Sequence, residues 1–441
     1  KMVKKIFMIG AGRSASSLIQ YLVNEANSND FEITVGDRDL SLVVDKIGDT
    51  PRGKAINFDV FNDSQRIEEI QKADIVISML PASLHFKVAQ DCVKYGKNLV
   101  TASYVSDEIK SLDVEAKEKG VLLLNEIGLD PGIDHMSAMK VIDEIKAKGG
   151  ELKSFKSYCG GLVAPEFDTN PWKYKFTWNP RNVVLAGQGT AQYIQDGDLK
   201  YIPYGQLFKR TDSLSVLEYG EFEAYANRDS LSYREIYNLE NIPTLLRGTL
   251  RRPGYGEAWD LFIQMGLTDD SFKMDVTGMT YKDFFVSFMD TTDLSIEAYL
   301  KVTFDTSASV FSKIEWLGFF NEQQIGLEMA SPAEVLQKLL EVKWLLEKED
   351  KDMIVMQHQF IYTLNNTEHE LHSSFVTLGE DQVYTGMAKT VGLPVGIATK
   401  LILNGVITGS GVKVPVNEDI YNPVLAELEK FGIEFIEEEI K

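Results

Sequence analysis

Cysteine is scarce in this sequence, and its scarcity excludes small folds that depend on cross-links. Only two cysteines, Cys92 and Cys159, occur among the 441 residues. Two cysteines are too few for a disulfide framework, and they cannot form the multi-cysteine pattern of a structural zinc site. Because unpaired thiols suit a reducing compartment, we expect a cytoplasmic protein.

Long hydrophobic runs are also missing. No uninterrupted apolar stretch approaches the roughly 18 residues that a membrane-spanning helix requires. The first residues, KMVKKIFMIGAG, are basic and then apolar, but the run breaks at glycines and no cleavage site follows, which predicts no signal peptide. The five histidines show no spacing typical of metal ligands. We therefore expect neither a membrane span nor a bound metal.

Positive charge is in short supply. The chain has 45 lysines and arginines against 66 aspartates and glutamates, which gives a formal net charge of −21. So acidic a chain cannot build the broad basic face that a nucleic-acid backbone requires. A small anionic ligand needs only two or three local cations, so we expect a small-molecule partner and no nucleic acid.

Strand and helix patterns alternate through the first 130 residues. Apolar, β-rich runs are found at Lys5–Ile9, Glu32–Val35, Asp74–Leu80, Asn98–Ala102 and Val121–Leu124. Helical patterns lie between them, including Ser14–Asn24, Leu84–Tyr95 and Ile109–Lys119. This alternation predicts an α/β fold with a Rossmann-type, doubly wound parallel sheet.

The rest of the chain has a different texture, and its length predicts two or three domains in all. Aromatics, glycines and prolines between Glu151 and Gly256 indicate a mixed sheet, and Glu257–Asp350 is helical in pattern. We expect a helix at Pro332–Lys348 after a capping Ser331, a hairpin of strands Asp352–Tyr362 and Leu371–Leu378 through Asn365-Asn366-Thr367, and a helix at Met387–Leu403.

The first strand runs directly into Gly10-Ala11-Gly12-Arg13-Ser14-Ala15, the G-x-G-x-x-A dinucleotide fingerprint. Its first glycine permits a tight turn, its second lets a pyrophosphate approach the backbone, and its small third residue lets helix and strand pack. The context of strand, loop and helix favours a nicotinamide dinucleotide site over a purely structural glycine turn.

The second strand ends at Asp37-Arg38, which bears on cofactor choice. An acidic side chain about 20 residues past the glycines can accept hydrogen bonds from ribose hydroxyls and repels a 2′-phosphate. Asp37 therefore favours NAD, while Arg38 leaves NADP possible, since an arginine here can hold that phosphate. The alternative is that both residues form a solvated strand end.

Other candidates follow later strands or stand in the middle segment. Asp130, in a loop rich in glycine and proline, is either a ligand contact or a cap for the next helix. Cys159 is either reactive or an inert buried thiol. Arg228 and Arg251 suit a substrate with several carboxylates, because arginine binds carboxylate through two parallel N–H bonds. The alternative is that these arginines pair with surface acids.

Longer motifs carry a resemblance to a known family. They are Gly10–Ala15, Ile77–Pro81, Ala102–Tyr104, Asn125–His135, Tyr158–Leu162, Asn227–Ser230, Arg247–Arg251, Asp352–Met356 and Met387–Pro394. Taken in order along nearly the whole chain, they resemble the saccharopine dehydrogenases that form L-glutamate. The resemblance implies an NAD(P)-dependent oxidoreductase acting on a CH–NH donor, which interconverts saccharopine with glutamate and 2-aminoadipate 6-semialdehyde in lysine metabolism.

The resemblance also implies domains and site residues. It predicts a Rossmann domain at 1–130 completed by about 386–441, an α+β substrate domain at 131–256 and 351–385, and a small helical insertion at 257–350. The implied substrate contacts are Ser103, Tyr104, Asp130, Arg228, Thr249, Leu250 and Arg251. The implied cofactor contacts are Gly10, Gly12, Arg13, Ser14, Asp37, Arg38, Asp59, Val60, Leu80, Ala102, Leu129, Asp130, Pro131 and Thr177.

The catalytic group stays open, with Asp130, Tyr104 and Cys159 as candidates. Two other functions are considered: a dehydrogenase of another carboxyalkyl amine, such as a polyamine precursor, and a dinucleotide-binding sensor without catalysis. A cationic amine would favour acids over arginines at one end of the site, which speaks against the first. A homodimer is left open.

Overall fold

The structure is a computed structural model that describes residues 3–440. Its contacts divide the chain into two compact units. The first unit comprises the residues up to Leu152 together with Thr363–Thr367 and Phe375–Ile436. The second comprises Lys153–Tyr362, Glu368–Ser374 and the residues from Glu437 onward. The helical stretch 257–350 thus lies within the second unit, and the three-part division stays a prediction.

The N-terminal part of the first unit alternates strands and helices, as the sequence predicts. The strands are β1 (Lys4–Ile9), β2 (Phe31–Asp37), β3 (Gly53–Asn57), β4 (Ile75–Ser78), β5 (Asn98–Val100) and β6 (Leu122–Leu124). The helices are α1 (Ser16–Glu25), α2 (Leu40–Ile47), α3 (Asp63–Lys72), α4 (His85–Tyr95), α5 (Asp107–Ser111), α6 (Asp113–Glu118) and α7 (Ile133–Ala147). The segment predicted as one helix at 109–119 is two short helices that meet at Leu112.

The second unit begins in β7 and carries the mixed strands and the helical stretch. Its strands are β7 (Glu151–Val163), β8 (Ala191–Gln195), β9 (Asp198–Ile202), β10 (Asp212–Ser215), β11 (Glu221–Ala226), β12 (Thr244–Arg251), β13 (Met274–Asp275), β14 (Met329–Ala330), β15 (Asp352–Leu364) and β16 (Thr367–Leu378). Its helices are α8 (Pro180–Val184), α9 (Tyr233–Ile236), α10 (Tyr255–Met265), α11 (Tyr281–Val286), α12 (Ile296–Phe304), α13 (Ala308–Leu317) and α14 (Pro332–Lys343). The predicted capping box is present, since Ser331 and Glu334 bond each other's backbone N–H groups, although α14 ends five residues before the predicted Lys348.

The chain ends with α15 (Gly386–Leu403), β17 (Gly411–Lys413), α16 (Glu418–Leu428) and β18 (Ile436–Glu439). Strand β17 joins the first sheet, whose order is β17-β6-β5-β4-β1-β2-β3. Every pairing in this sheet is parallel. The order 3-2-1-4-5-6 is that of a dinucleotide-binding Rossmann fold, so the predicted fold class is confirmed.

The second sheet has nine strands and mixed pairing. Its main path is β10-β11-β12-β7-β15-β16-β18, and off this path β8 pairs with β12 and β9 pairs with β8. Strand β12 pairs parallel to β7 and antiparallel to β11. The hairpin of β15 and β16 turns through Asn365 and Asn366, whose φ angles are 51° and 62°. Asparagine tolerates these left-handed angles, which a two-residue type I′ turn requires.

Helix α15 packs directly against α1. A Cβ atom on Gly392 would lie 3.0 Å from the Leu18 backbone nitrogen, and one on Gly396 would lie 2.7 Å from the Tyr21 ring. The two glycines therefore allow close approach of the helix that begins after the glycine loop. By length and composition alone α15 could cross a membrane, but 61% of its apolar window is buried inside the fold, as in the core helix of a globular unit.

Candidate functional site

The glycine loop leaves β1 where the sequence predicts a dinucleotide. Gly10 has a φ of +100°, and a Cβ atom on it would lie 2.8 Å from the carbonyl oxygen of Met79. Gly12 has no neighbouring heavy atom within 4 Å of where a Cβ would stand. A short 3-10 turn, Arg13–Ala15, then leads into α1. The loop is thus tight on its inner side and open on its outer side, which fits the approach of a pyrophosphate.

Asp37, at the end of β2, is bonded to the protein's own backbone. Its Oδ2 accepts a hydrogen bond of 2.8 Å from the Ala11 N–H, and its Oδ1 accepts one of 3.0 Å from the Asp39 N–H. The carboxylate therefore holds the glycine loop to the end of β2. The expectation of NAD treated Asp37 as a ribose acceptor, whereas both of its oxygens already have a backbone partner.

Lys46 holds the same loop from α2, and the sequence reasoning missed it. Its Nζ donates to the carbonyl oxygens of Ala11 and Gly12 at 2.7 and 2.6 Å. Burial lowers the pKa of Lys46, and the nearby Asp37 carboxylate opposes that shift. No spacing rule links a lysine to a loop 34 residues earlier, so only the fold reveals this contact.

Arg38 is exposed and contacts the segment that follows β3. The Arg38 Nη2 lies 3.0 Å from Asp59 Oδ1, and its guanidinium is 5.4 Å from the centre of the Phe61 ring. A hydrogen bond from the Phe61 backbone and the Arg38 guanidinium lower the pKa of Asp59. Two-thirds of the Arg38 side chain is exposed, so it is accessible to a phosphate.

The ends of β4 and β5 carry a chain of three polar side chains. Ser78 Oγ lies 2.8 Å from His85 Nδ1, and His85 Nε2 lies 2.6 Å from Ser103 Oγ. Burial lowers the pKa of His85 from 6.5 to about 4. The neighbouring Tyr104 is exposed. His85 was not among the predicted residues, because a histidine at the start of a helix carries no signal by itself.

The loop after β6 is unusually compact. A Cβ atom on Gly132, whose φ is +149°, would lie 2.1 Å from the Gly128 carbonyl oxygen. The Gly128 N–H donates to the Pro131 carbonyl oxygen at 2.9 Å, and the Asp130–Pro131 peptide bond is cis. Helix α7 begins with Gly132 at its N-cap, so Asp130 is not the N-cap residue of that helix.

Thirteen of the fourteen predicted cofactor contacts are therefore gathered in the first unit. They follow the carboxyl ends of parallel strands β1 to β6, which share one edge of the sheet. Ligands of doubly wound sheets bind at this edge, beside the point where strand order reverses. Here that point is between β1 and β4, next to the glycine loop. Ser103, Tyr104 and Asp130 lie at the same edge.

The second unit places other predicted residues on one face of its sheet. Thr249 and Cys159 are register partners on the parallel strands β12 and β7, and Arg251 lies two residues beyond Thr249. Side chains two residues apart on a strand share a face. The Thr249 hydroxyl donates to Asn227 Oδ1 at 2.6 Å. Leu250 points to the opposite face and is fully buried, so any ligand contact of Leu250 involves its backbone.

Arg251 is buried among aromatic rings. It is 3% exposed, and its guanidinium carbon lies 4.8, 5.7 and 5.3 Å from the ring centres of Tyr174, Tyr225 and Tyr255. One Nη donates to the Leu250 carbonyl oxygen, while Nε has no hydrogen-bond partner in the described chain. No carboxylate of residues 3–440 pairs with it, so this buried positive charge lacks an internal counter-ion.

Three further predicted residues also belong to the second unit. Arg228 follows β11 and is exposed, and its side chain forms no hydrogen bond or ion pair within the part of the chain that the structure describes. Thr177 is buried, and its hydroxyl is without a partner among the described residues. Cys159 is buried and forms no disulfide bond. Residues 3–440 contain no cluster of potential metal ligands.

Comparisons with known proteins agree with this architecture. The family described as saccharopine dehydrogenase NADP binding domain matches residues 6–124, and the saccharopine dehydrogenase C-terminal domain matches residues 128–433. The chain belongs to the saccharopine dehydrogenase family. Membership covers both units, since the two matches together span almost the whole chain.

Individual relatives extend this finding. The chain is 34% identical to saccharopine dehydrogenase [NADP(+), L-glutamate-forming] of Saccharomyces cerevisiae, over 98% of each protein. It is also 34% identical to mitochondrial alpha-aminoadipic semialdehyde synthase of Bos taurus, of which it spans 47%. A solved apo structure of the S. cerevisiae saccharopine dehydrogenase (L-Glu forming) matches with a TM-score of 0.90 and 32% identity, over 99% of this chain and all of that one.

Proposed function

We propose that this chain is an L-glutamate-forming saccharopine dehydrogenase that uses NADP. Family membership over both units supports the reaction class, and one observation in particular supports the substrate. Arg251 is a fully buried cation with no carboxylate partner among residues 3–440. A buried charge is costly unless it is paired, and saccharopine carries three carboxylates that can pair with it.

The reaction requires orientation and charge from the protein. In the oxidative direction, a hydride leaves the carbon beside the secondary amine of saccharopine and passes to the nicotinamide ring, which supplies the redox chemistry. The amine loses a proton, and water hydrolyses the resulting imine to glutamate and 2-aminoadipate 6-semialdehyde. In this proposal Arg228 and Arg251 bind carboxylates, while Ser103, Thr249 and the Leu250 backbone complete the substrate contacts.

The group that accepts or donates protons is one of three candidates. Tyr104 and Asp130 belong to the ligand-binding edge of the first sheet, and Cys159 lies beside Thr249 in the second sheet. A general acid or base must come within hydrogen-bond reach of the reacting atom. Separate replacement of the three side chains, with pH profiles of kcat/KM, would identify the group.

NADP is the proposed cofactor, in place of the NAD that the sequence favours. The names of the matched family and of the yeast relative both specify NADP. Arg38 offers an exposed guanidinium for a 2′-phosphate, and Asp37, whose repulsion of that phosphate was the argument for NAD, is held by backbone N–H groups. Gly10, Gly12, Arg13 and Ser14 would bind the pyrophosphate.

Steady-state kinetics test this function. Purified protein with saccharopine and NADP⁺ should produce reduced nicotinamide absorbance and release glutamate, with a higher kcat/KM than with NAD⁺. Release of lysine and 2-oxoglutarate would contradict the substrate orientation. Turnover of a cationic carboxyalkyl amine in place of saccharopine would favour the polyamine alternative, and dinucleotide binding without any turnover would favour the sensor. The cytoplasmic location and the oligomeric state stay predictions.

A further inference from the structure

Ser78, His85 and Ser103 connect the interior of the first unit to its ligand-binding edge. Ser78 is the last residue of β4 and is 0% exposed, and His85 is the first residue of α4 and is buried. Ser103 follows β5 and is only partly buried. The 2.8 and 2.6 Å contacts join the two hydroxyls to opposite nitrogens of one imidazole.

A neutral imidazole has one donor nitrogen and one acceptor nitrogen. The two hydroxyls are therefore coupled. If Ser78 donates to Nδ1, then Nε2–H donates to Ser103; if Ser103 donates to Nε2, then Nδ1–H donates to Ser78. Burial of His85, which lowers its pKa to about 4, keeps the ring neutral near pH 7.

The burial of Ser78 decides between these two arrangements. The Ser78 hydroxyl has no hydrogen-bond partner other than His85 in the described chain. If it accepted from Nδ1–H, its own buried proton would have no acceptor, and a buried unsatisfied donor is expensive. Ser78 therefore donates to Nδ1, and Nε2–H donates to Ser103.

This direction leaves the Ser103 hydroxyl proton without an acceptor inside the chain, since residues 3–440 offer it no other partner. We propose that His85 is a positioning residue that holds Ser103 as a hydrogen-bond donor towards a carboxylate of the substrate. The proposal rests on the proposed function for the identity of the ligand. The direction of the relay itself rests only on the three side chains.

Nuclear magnetic resonance tests the direction without any assay of activity. In protein with nitrogen-15 histidine, the ring nitrogen shifts distinguish the two neutral tautomers, and the His85→Gln variant assigns the His85 signals among the five histidines. At pH 7 we expect the Nε2-protonated tautomer. An Nδ1-protonated or doubly protonated ring would overturn the proposal, whatever the protein's substrate is.

A double-mutant cycle tests the connection to the substrate. Ser103→Ala should raise KM for saccharopine by about 10-fold or more, and Ser78→Ala, which frees the tautomer, by about threefold. The double variant should equal Ser103→Ala alone, because the distal serine acts only through His85. The dissociation constant of NADPH, measured by fluorescence without saccharopine, should stay within about twofold of wild type.

Two substitutions of His85 sharpen the cycle. Glutamine places an N–H near the position of Nε2 and should retain more activity than asparagine, whose amide reaches only the position of Nδ1. Ser28→Ala, at an exposed turn, is the neutral control, and thermal unfolding checks that each variant folds.

Additive effects of Ser78→Ala and Ser103→Ala in an enzyme that still turns over saccharopine would refute the coupling through His85 and leave the proposed function intact. Absence of turnover in the wild type would refute the function, and the tautomer would still be decided.

Discussion

The two regions that carry the candidate ligand contacts treat their charged groups in opposite ways. At the glycine loop of the first unit, Asp37 and Lys46 bond to backbone atoms of their own chain. On the sheet face of the second unit, Arg251 is buried without any carboxylate among the described residues. The first region is complete without a ligand and offers mainly backbone N–H groups. The second contains a buried charge without a carboxylate partner, which a bound anion would balance, so it should be far more sensitive to the loss of a single side chain.

The largest expected effect is therefore that of Arg251→Ala. Removing a buried partner of a substrate carboxylate should lower kcat/KM for saccharopine. The loss of transition-state stabilisation should be roughly 2–5 kcal/mol. Arg251→Lys should recover only part of it, because lysine lacks the planar fork of N–H donors. Steady-state kinetics with saccharopine measure the effect.

Arg252→Ala is the matched control for Arg251. Its guanidinium bonds to the carbonyl oxygens of Tyr219 and Glu221, so its loss should cost stability and leave kcat/KM nearly unchanged. Equal losses from the two variants would mean that Arg251 acts through the fold and that the contrast between the two regions is false.

The buried His85 of the first unit gives the next largest effect, which is on stability. The folded-state pKa of His85 is lowered to about 4, below its unfolded value, so the unfolded chain binds more protons between these values. The contribution of His85 to the free energy of unfolding is fully present above pH 6.5 and is lost as the pH falls towards 4. It amounts to about 3 kcal/mol, since each unit of pKa corresponds to about 1.4 kcal/mol.

Denaturant unfolding of wild type and His85→Gln at pH 7 and pH 5 measures this contribution. The wild type should lose more stability on acidification than the variant does. His369→Gln, at a partly exposed histidine, is the control and should follow the wild type. A His85→Gln protein with the same dependence on pH as wild type would show that the imidazole is not buried in neutral form.

Cofactor choice is expected to depend on Arg38 and not on Asp37. Arg38→Ala should weaken NADPH binding by about 10-fold and hardly change NADH binding, because one charge-assisted contact to the 2′-phosphate is lost. Asp37→Ser should weaken both dinucleotides alike, since it releases the glycine loop. Fluorescence titrations give the dissociation constants of NADPH and NADH for both variants, and Arg52→Ala is the control.

A shift of the NADPH to NADH ratio on Asp37→Ser would contradict this assignment. It would mean that the carboxylate faces the ribose in addition to its backbone contacts. The two regions would then be alike, each with a charge that acts directly on a ligand.

The smallest effect is expected for Arg228→Ala. Exposed ion pairs contribute about 0–1 kcal/mol, and Arg228 is exposed, so KM for saccharopine should rise by no more than about fivefold. Arg210→Ala, at another exposed arginine, is the control. A loss as large as that of Arg251→Ala would show that Arg228 becomes buried when substrate binds.

Local patterns predicted much of the first unit. Five of its strands, the glycine loop and the helix after it follow from apolar runs and turn residues. Strand β3 and helix α3 have no such signal, because β3 is a partly exposed edge strand of five residues, GKAIN, and α3 is mostly polar. Lys46 and His85 were missed for a related reason. Lys46 contacts Ala11 and Gly12, and His85 contacts Ser103. No spacing in the sequence predicts these contacts.

The sequence by itself determined the fold class and the family, since both depend on motifs whose conformation is local, and it predicted the residues that are proposed to bind the dinucleotide. Only the tertiary structure decided what the charged groups do. The sequence predicts both Asp37 and Arg251 as ligand contacts. In the structure Asp37 is bonded to backbone N–H groups, whereas Arg251 is enclosed by three tyrosines. Hydrogen bonding and burial depend on which distant strands and helices meet, and strand register and helix packing set that.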